Sequence, residues 1–146
     1  GNNSWRRQNE GATAAWSFLV DVFALVTPSG STGAASFHSY GAAAGLIGTY
    51  DLYVDLSTTS AVSLGFNYQN ATGADILEVL LSTDGGLTFG PVLGTYTTGA
   101  WAAQTLNLGV VGSATSVIRF KATSDFGFDD IGIDNVVVGG VLTDAL

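Results

Sequence analysis

Cysteine and methionine are absent from this chain of 146 residues, proline occurs twice, and only four side chains carry a fixed positive charge. Each scarcity removes a class of explanation. Without cysteine there is no disulfide framework and no thiolate-held metal. His38 is the only histidine, so a histidine-built zinc site is excluded and a Ser-His-Asp triad would have to use this one residue. No serine stands in the G-x-S-x-G turn that presents a hydrolase nucleophile. Twelve acids against four bases give a net charge of −8. That charge repels phosphate backbones and anionic membrane surfaces, so neither nucleic acid nor a membrane is an expected partner. Charged residues are only 11% of the chain and apolar ones 47%, the reverse of a disordered composition. The chain is expected to form one domain over residues 1–146 around an apolar interior. Its longest apolar run, residues 16–26, is too short to cross a bilayer and holds Asp21 in its middle. The polar first ten residues lack the apolar core of a secretion signal, which still allows a mature chain whose signal has been removed.

What is present is strand after strand. Residues 76–81 form an apolar run, followed by Asp84-Gly85-Gly86 and a second run through Pro91, Val92, Leu93 and Tyr96. Consecutive glycines supply positive φ, which predicts an antiparallel hairpin with a tight turn at Asp84. Residues 61–69 alternate, with Val62, Leu64, Phe66 and Tyr68 on one face and Ser63, Gly65, Asn67 and Gln69 on the other. That is the period of a half-buried antiparallel strand. Residues 50–56, 101–108, 115–122 and 131–138 read as further strands, with Ile118 and Phe120 inward and Arg119 and Lys121 outward. Residues 16–26 read as a buried strand or a short helix, 1–15 as a loop or edge strand, and 41–45 as a packed loop. The tail, 139–146, reads as a flexible joint plus a short strand. About eight short strands with turns between them predict an all-β fold, a two-sheet antiparallel jelly-roll sandwich.

Several fragments then fall into a known order: Phe37-His38-Ser39-Tyr40-Gly41, Leu52-Tyr53-Val54-Asp55-Leu56, Leu64-Gly65-Phe66-Asn67-Tyr68, Leu77-Glu78-Val79-Leu80-Leu81-Ser82-Thr83-Asp84-Gly85-Gly86, Trp101, Ile118-Arg119-Phe120 and Ile133-Asp134-Asn135-Val136. Together, over roughly residues 5–138, they resemble the MAM-like jelly-roll modules of bacterial secreted proteins, a group with the cleaved-adhesin domains of gingipains and the choice-of-anchor J domains. The resemblance implies an extracellular or cell-surface, non-catalytic module for adhesion or carbohydrate binding, often with bound calcium, and a glycan or surface protein as partner. Members of that group usually open with one more strand, bearing an acidic residue, before the segment matching Trp5. A missing strand would leave an open sheet edge, which is a template for strand addition.

The candidate sites follow. Trp5 and Trp101 lie near turns among small polar residues and are the aromatic candidates for stacking on a sugar, although most aromatics of a sandwich are core. Asp125, Asp129, Asp130 and Asp134 place four carboxylates within ten residues. Hard oxygen donors of this kind suit calcium, and the same composition suits a solvated acidic loop. Asp134 matches the group's acidic residue on the penultimate strand, as the resemblance implies. Residues 82–89 fit the pattern S-x-D-x-G-x-T-F of a structural hairpin repeated in sialidases; it occurs here once, and three arginines do not make a sialidase site. Glu10 and Glu78 are the only glutamates, and no E-x-D-x-x-E array of a jelly-roll glucanase is present. The expected function is therefore binding, not catalysis. The alternative is a structural subunit of a filament, sheath or surface layer that self-associates through the open sheet edge, and glycan hydrolysis is a remote third.

Overall fold

The computed structural model describes residues 4–11, 14–17, 34–71, 73–125 and 130–142. Among them are ten β-strands and no helix, so no helix is long and apolar enough to cross a membrane. The strands are β1 (Ser4–Asn9), β2 (Ala15–Ser17), β3 (Ala35–His38), β4 (Ile47–Val54), β5 (Thr59–Asn70), β6 (Ile76–Ser82), β7 (Gly94–Tyr96), β8 (Gly99–Gly109), β9 (Ser116–Thr123) and β10 (Ile131–Leu142). They form two five-stranded sheets, ordered β1-β4-β9-β6-β7 and β2-β3-β10-β5-β8, and every described pairing is antiparallel. The expected two-layer jelly roll is the observed fold.

Cross-strand partners share a face, so the register sorts every side chain. In the first sheet Tyr50, Phe120 and Val79 form one inward row, and Leu52, Ile118 and Leu81 the next. In the second, Leu64 pairs with Leu106 and Val138, and Tyr68 with Ile133. These rows interdigitate into one core with Trp16, Phe37, Phe66 and Leu77. Phe66 stands edge-on to Phe120 of the opposite layer, ring centroids 5.2 Å apart. The layers approach closely at Gly48, where an added Cβ would lie 2.6 Å from Phe37 Cε2. There the Trp16 indole N–H donates to the Gly48 carbonyl at 3.0 Å. Trp16 is thus a buried strand residue, with Ser17 beside it in β2, while residues 18–26 of the 16–26 run lie outside the described residues.

Two expectations need correction. β6 and β7 do pair antiparallel, but their connection is the eleven-position loop 83–93 and not a tight turn. Gly85 and Gly86 both take positive φ, yet Asp84 directs the loop elsewhere: its carboxylate accepts the Thr88 amide at 2.9 Å and the Thr88 hydroxyl, and the Ser82 hydroxyl bonds it at 2.7 Å. Those bonds close a turn over residues 84–88, inside the loop and short of β7. The expected joint at 139–146 is in part strand, since β10 runs on through Gly139 and Val141 opposite Ser63 and Ser60; residues 143–146 lie outside the described residues. The N-terminal segment is an edge strand, β1, against β4.

Candidate functional site

The two outward faces of the sandwich differ in chemistry. On the first sheet Arg6, Asp51, Arg119 and Leu80 make one row, and Gln8, Thr49, Lys121 and Glu78 the next. The charges here are committed to each other. Arg119 grips Asp51 through two bonds, Nε to Oδ1 at 2.8 Å and Nη2 to Oδ2 at 2.7 Å, a fork geometry that holds the guanidinium firmly charged. That bond, with Asp51's charge, raises the Arg119 pKa. Lys121 Nζ donates to Glu78 at 2.8 Å. Arg6 lies 4.2 Å from the Tyr53 ring centre, and the Phe89 ring from loop 83–93 covers Arg119 at 4.0 Å. Loop 83–93 therefore lies over this face, tied down at its far side by Ser113 and Thr115 hydroxyls on the Thr83 carbonyl. The Asp84 motif is structural, as its single occurrence suggested.

The outward face of the second sheet carries polar groups and, among the described residues, no ion pair between two of its own side chains. β8 contributes Ala103, Thr105 and Asn107, β5 contributes Ser63, Gly65, Asn67 and Gln69, and β10 contributes Asp134, Val137 and Gly139. Between the pairs Tyr68–Ala102 and Asn70–Gly99 the register shifts by one residue, a bulge that sets Trp101 beside Gln69 on this face. Among the described residues the carboxamides of Asn67 and Gln69 and the Trp101 indole N–H engage no protein partner. A second bulge re-aims β10: Asn135 takes φ 50, its amide bonded to Asp134 Oδ1 at 2.8 Å, so that Val136 turns inward and Val137 outward. Asp134 sits opposite Asn67. Indole, amides and one carboxylate thus lie together on a sheet floor otherwise lined by small residues.

The two tryptophans singled out by sequence part company. Trp5 pairs with Leu52 and faces inward, stacked on Tyr50 with ring centres 4.2 Å apart; it is 37% exposed because β1 is an edge. It also walls a groove of about 450 Å³ between the layers, with Leu52, Val54, Leu56, Val136 and Val138. The exposed lining of the groove is more polar than apolar, but its polar side chains are engaged: Asp55 Oδ1 accepts both the amide and the hydroxyl of Ser57, and the Thr59 hydroxyl donates to the Leu56 carbonyl. Those two Ser57 bonds hold the exposed Asp55 below the ordinary carboxylate range. Asn67 and Gln69, the neighbours of Trp101, were not among the sequence candidates. Their signal was present in the alternation of 61–69, which fixes which side they occupy.

Of the four acidic candidates, the three described ones do not gather. Asp130 is buried, and its carboxylate takes the Ser36 hydroxyl at 3.2 Å and faces His38 Nδ1 at 2.8 Å, so it is an internal anchor between β3 and β10. Asp125 is exposed, and its amide donates to buried Asp75 at 2.8 Å. Burial raises the Asp75 carboxyl above its ordinary value, with Ser39 and the Asp125 amide offsetting part of the rise. Ser39 Oγ and Asp75 Oδ2 nevertheless lack full hydrogen-bond geometry, so proximity without a well-formed bond describes that pair. Asp134 stands apart on the outer face. Asp129 lies outside the described residues, and among those described no three carboxylate or imidazole groups converge as a calcium cage requires.

No sequence-family profile matches this chain, and no curated protein sequence does. Solved structures do share its fold. The K3 cleaved adhesin domain of Lys-gingipain from Porphyromonas gingivalis W83 is similar at 16% identity with a TM-score of 0.73, over 93% of this chain and 91% of that one. The K1 cleaved adhesin domain of the same protein is similar at 16% identity with a TM-score of 0.64, over 95% and 94%. The carbohydrate-binding module TmCBM61, solved in complex with beta-1,4-galactotriose, is similar at 17% identity with a TM-score of 0.65, over 93% and 88%. At these identities the likeness establishes the jelly-roll architecture that this chain shares with adhesin and carbohydrate-binding modules.

Proposed function

We propose that this chain is a non-catalytic, extracellular or surface-located binding module that takes a neutral glycan on the outer face of its second sheet. The observation that carries the reading is the grouping of Trp101 with the uncommitted amides of Asn67 and Gln69. A pyranose offers a C–H face to an indole and hydroxyls at its rim. Carboxamides can both donate to and accept from those hydroxyls. The first sheet offers no equivalent, because Arg119 and Lys121 are paired with Asp51 and Glu78 and loop 83–93 covers part of it. The architecture shared with TmCBM61, whose structure holds a galactose oligomer, makes neutral galactans the first probes. The likeness to gingipain adhesin domains supports adhesion to a glycan-bearing surface.

Titration calorimetry against a panel of neutral polysaccharides, with galactans included, tests this. Saturable binding that Trp101→Ala abolishes is the expected result. A panel with no ligand, or a Trp101→Ala variant that binds like the parent, would sink the reading. Running free polysaccharides beside glycosylated proteins separates a glycan from a protein carrier.

A further inference from the structure

We propose that the free edge of β8 pairs with β8 of a second copy, antiparallel about a twofold axis, so that two second sheets join into one. A free strand edge is a row of unmet N–H and C=O groups, and proteins usually blunt it with charge, proline or brevity. Among the described strands there are four such edges. β1 is blunted by Arg6 and Arg7, while β2 and β7 are three residues long. β8 has eleven residues, Gly-Ala-Trp-Ala-Ala-Gln-Thr-Leu-Asn-Leu-Gly, with no charge and no proline. Bulges mark both of its ends and leave residues 102–107 in regular register, enough for about six hydrogen bonds across a twofold pair.

The surroundings favour a copy of the same chain as occupant. With a net charge of −8, copies repel one another at long range, so contact between them requires a surface free of acids. Residues 85–118 contain no charged side chain and are the longest such stretch in the sequence. Twofold pairing sets this neutral strand against its own reverse, opposing no like charges. The edge also carries two inward-facing leucines that this chain leaves half covered, Leu106 and Leu108. The axis runs normal to the sheet, so both Trp101 faces come out on the same side.

Sedimentation from micromolar to millimolar protein, without glycan, tests the pairing independently of the binding face. A reversible dimer is expected. Ala103→Lys with Thr105→Lys should weaken it about tenfold or more by opposing like charges across the axis, while Gln8→Lys on the β1 edge leaves it unchanged. In the unsubstituted chain, amide exchange along β8 should slow as concentration rises, and along β1 it should not. A chain that stays monomeric throughout, a dimer indifferent to the two β8 lysines, or β8 amides whose exchange ignores concentration would each overturn the proposal.

Discussion

Trp5 and Trp101 are both stacking candidates in sequence, and the register gives them opposite roles. Trp5 stacks on Tyr50 inside the edge of the first sheet, so Trp5→Ala should cost about 2 kcal/mol, less than a fully enclosed tryptophan because one side is in water. Chemical denaturation would measure this, and glycan affinity should be retained in the folded fraction. Trp101→Ala should do the reverse, losing binding with little change in stability. Two carboxyls carry pH signatures of opposite sign. Hydrogen bonds from Thr88 and Ser82 lower the Asp84 pKa from 3.8 to about 2. Its stabilising contribution is therefore complete above the unfolded value and is lost as pH falls toward 2. The stability difference between the parent and Asp84→Asn should shrink over that acidic window and stay flat above it. Burial raises Asp75 instead, so its ionisation costs stability as pH rises through the folded value. Asp75→Asn should be the more stable protein at neutral pH, and the gap should close on acidification; a gap that widened would contradict the burial argument.

At the scale of elements, legibility followed burial. β5 was readable because one of its faces is core and the other is not, which writes period two into Val62, Leu64, Phe66 and Tyr68. β9 was readable for the same reason. β8 was harder, since at an edge even inward positions such as Leu106 stay half covered, and Ala102 and Ala103 carry little contrast. The β6–β7 connection was misjudged because Asp84-Gly85-Gly86 has tight-turn composition, while the reach of Asp84 to Thr88 lies outside any local turn rule. The burial of Asp130 was hidden because its partners, Ser36 and His38, are more than ninety positions away. Gly48 gave no signal at all, though the two layers meet there. Gly48→Ala would press a methyl into the Phe37 ring, and overpacking of this kind should cost about 2 kcal/mol. A thermal melt equal to that of the parent would show that the layers yield more easily than their packing implies.

For the whole molecule, the sandwich divides its labour by layer. The first sheet holds all four basic side chains, Arg6, Arg7, Arg119 and Lys121, together with loop 83–93, whose Phe89 ring covers Arg119. The second presents a largely uncharged floor. Recognition through an indole and amides involves no counterion release, so glycan affinity should hardly change between low and high salt. A steep salt dependence would point to a charged ligand and to the other sheet. The most direct test is a map of amide chemical shifts during titration with a neutral galactan oligomer. The account predicts saturable shifts centred on Asn67, Gln69, Trp101 and Asp134, with the Arg119–Asp51 face silent. Shifts confined to the first sheet or to the Trp5 groove, or none at all, would contradict it.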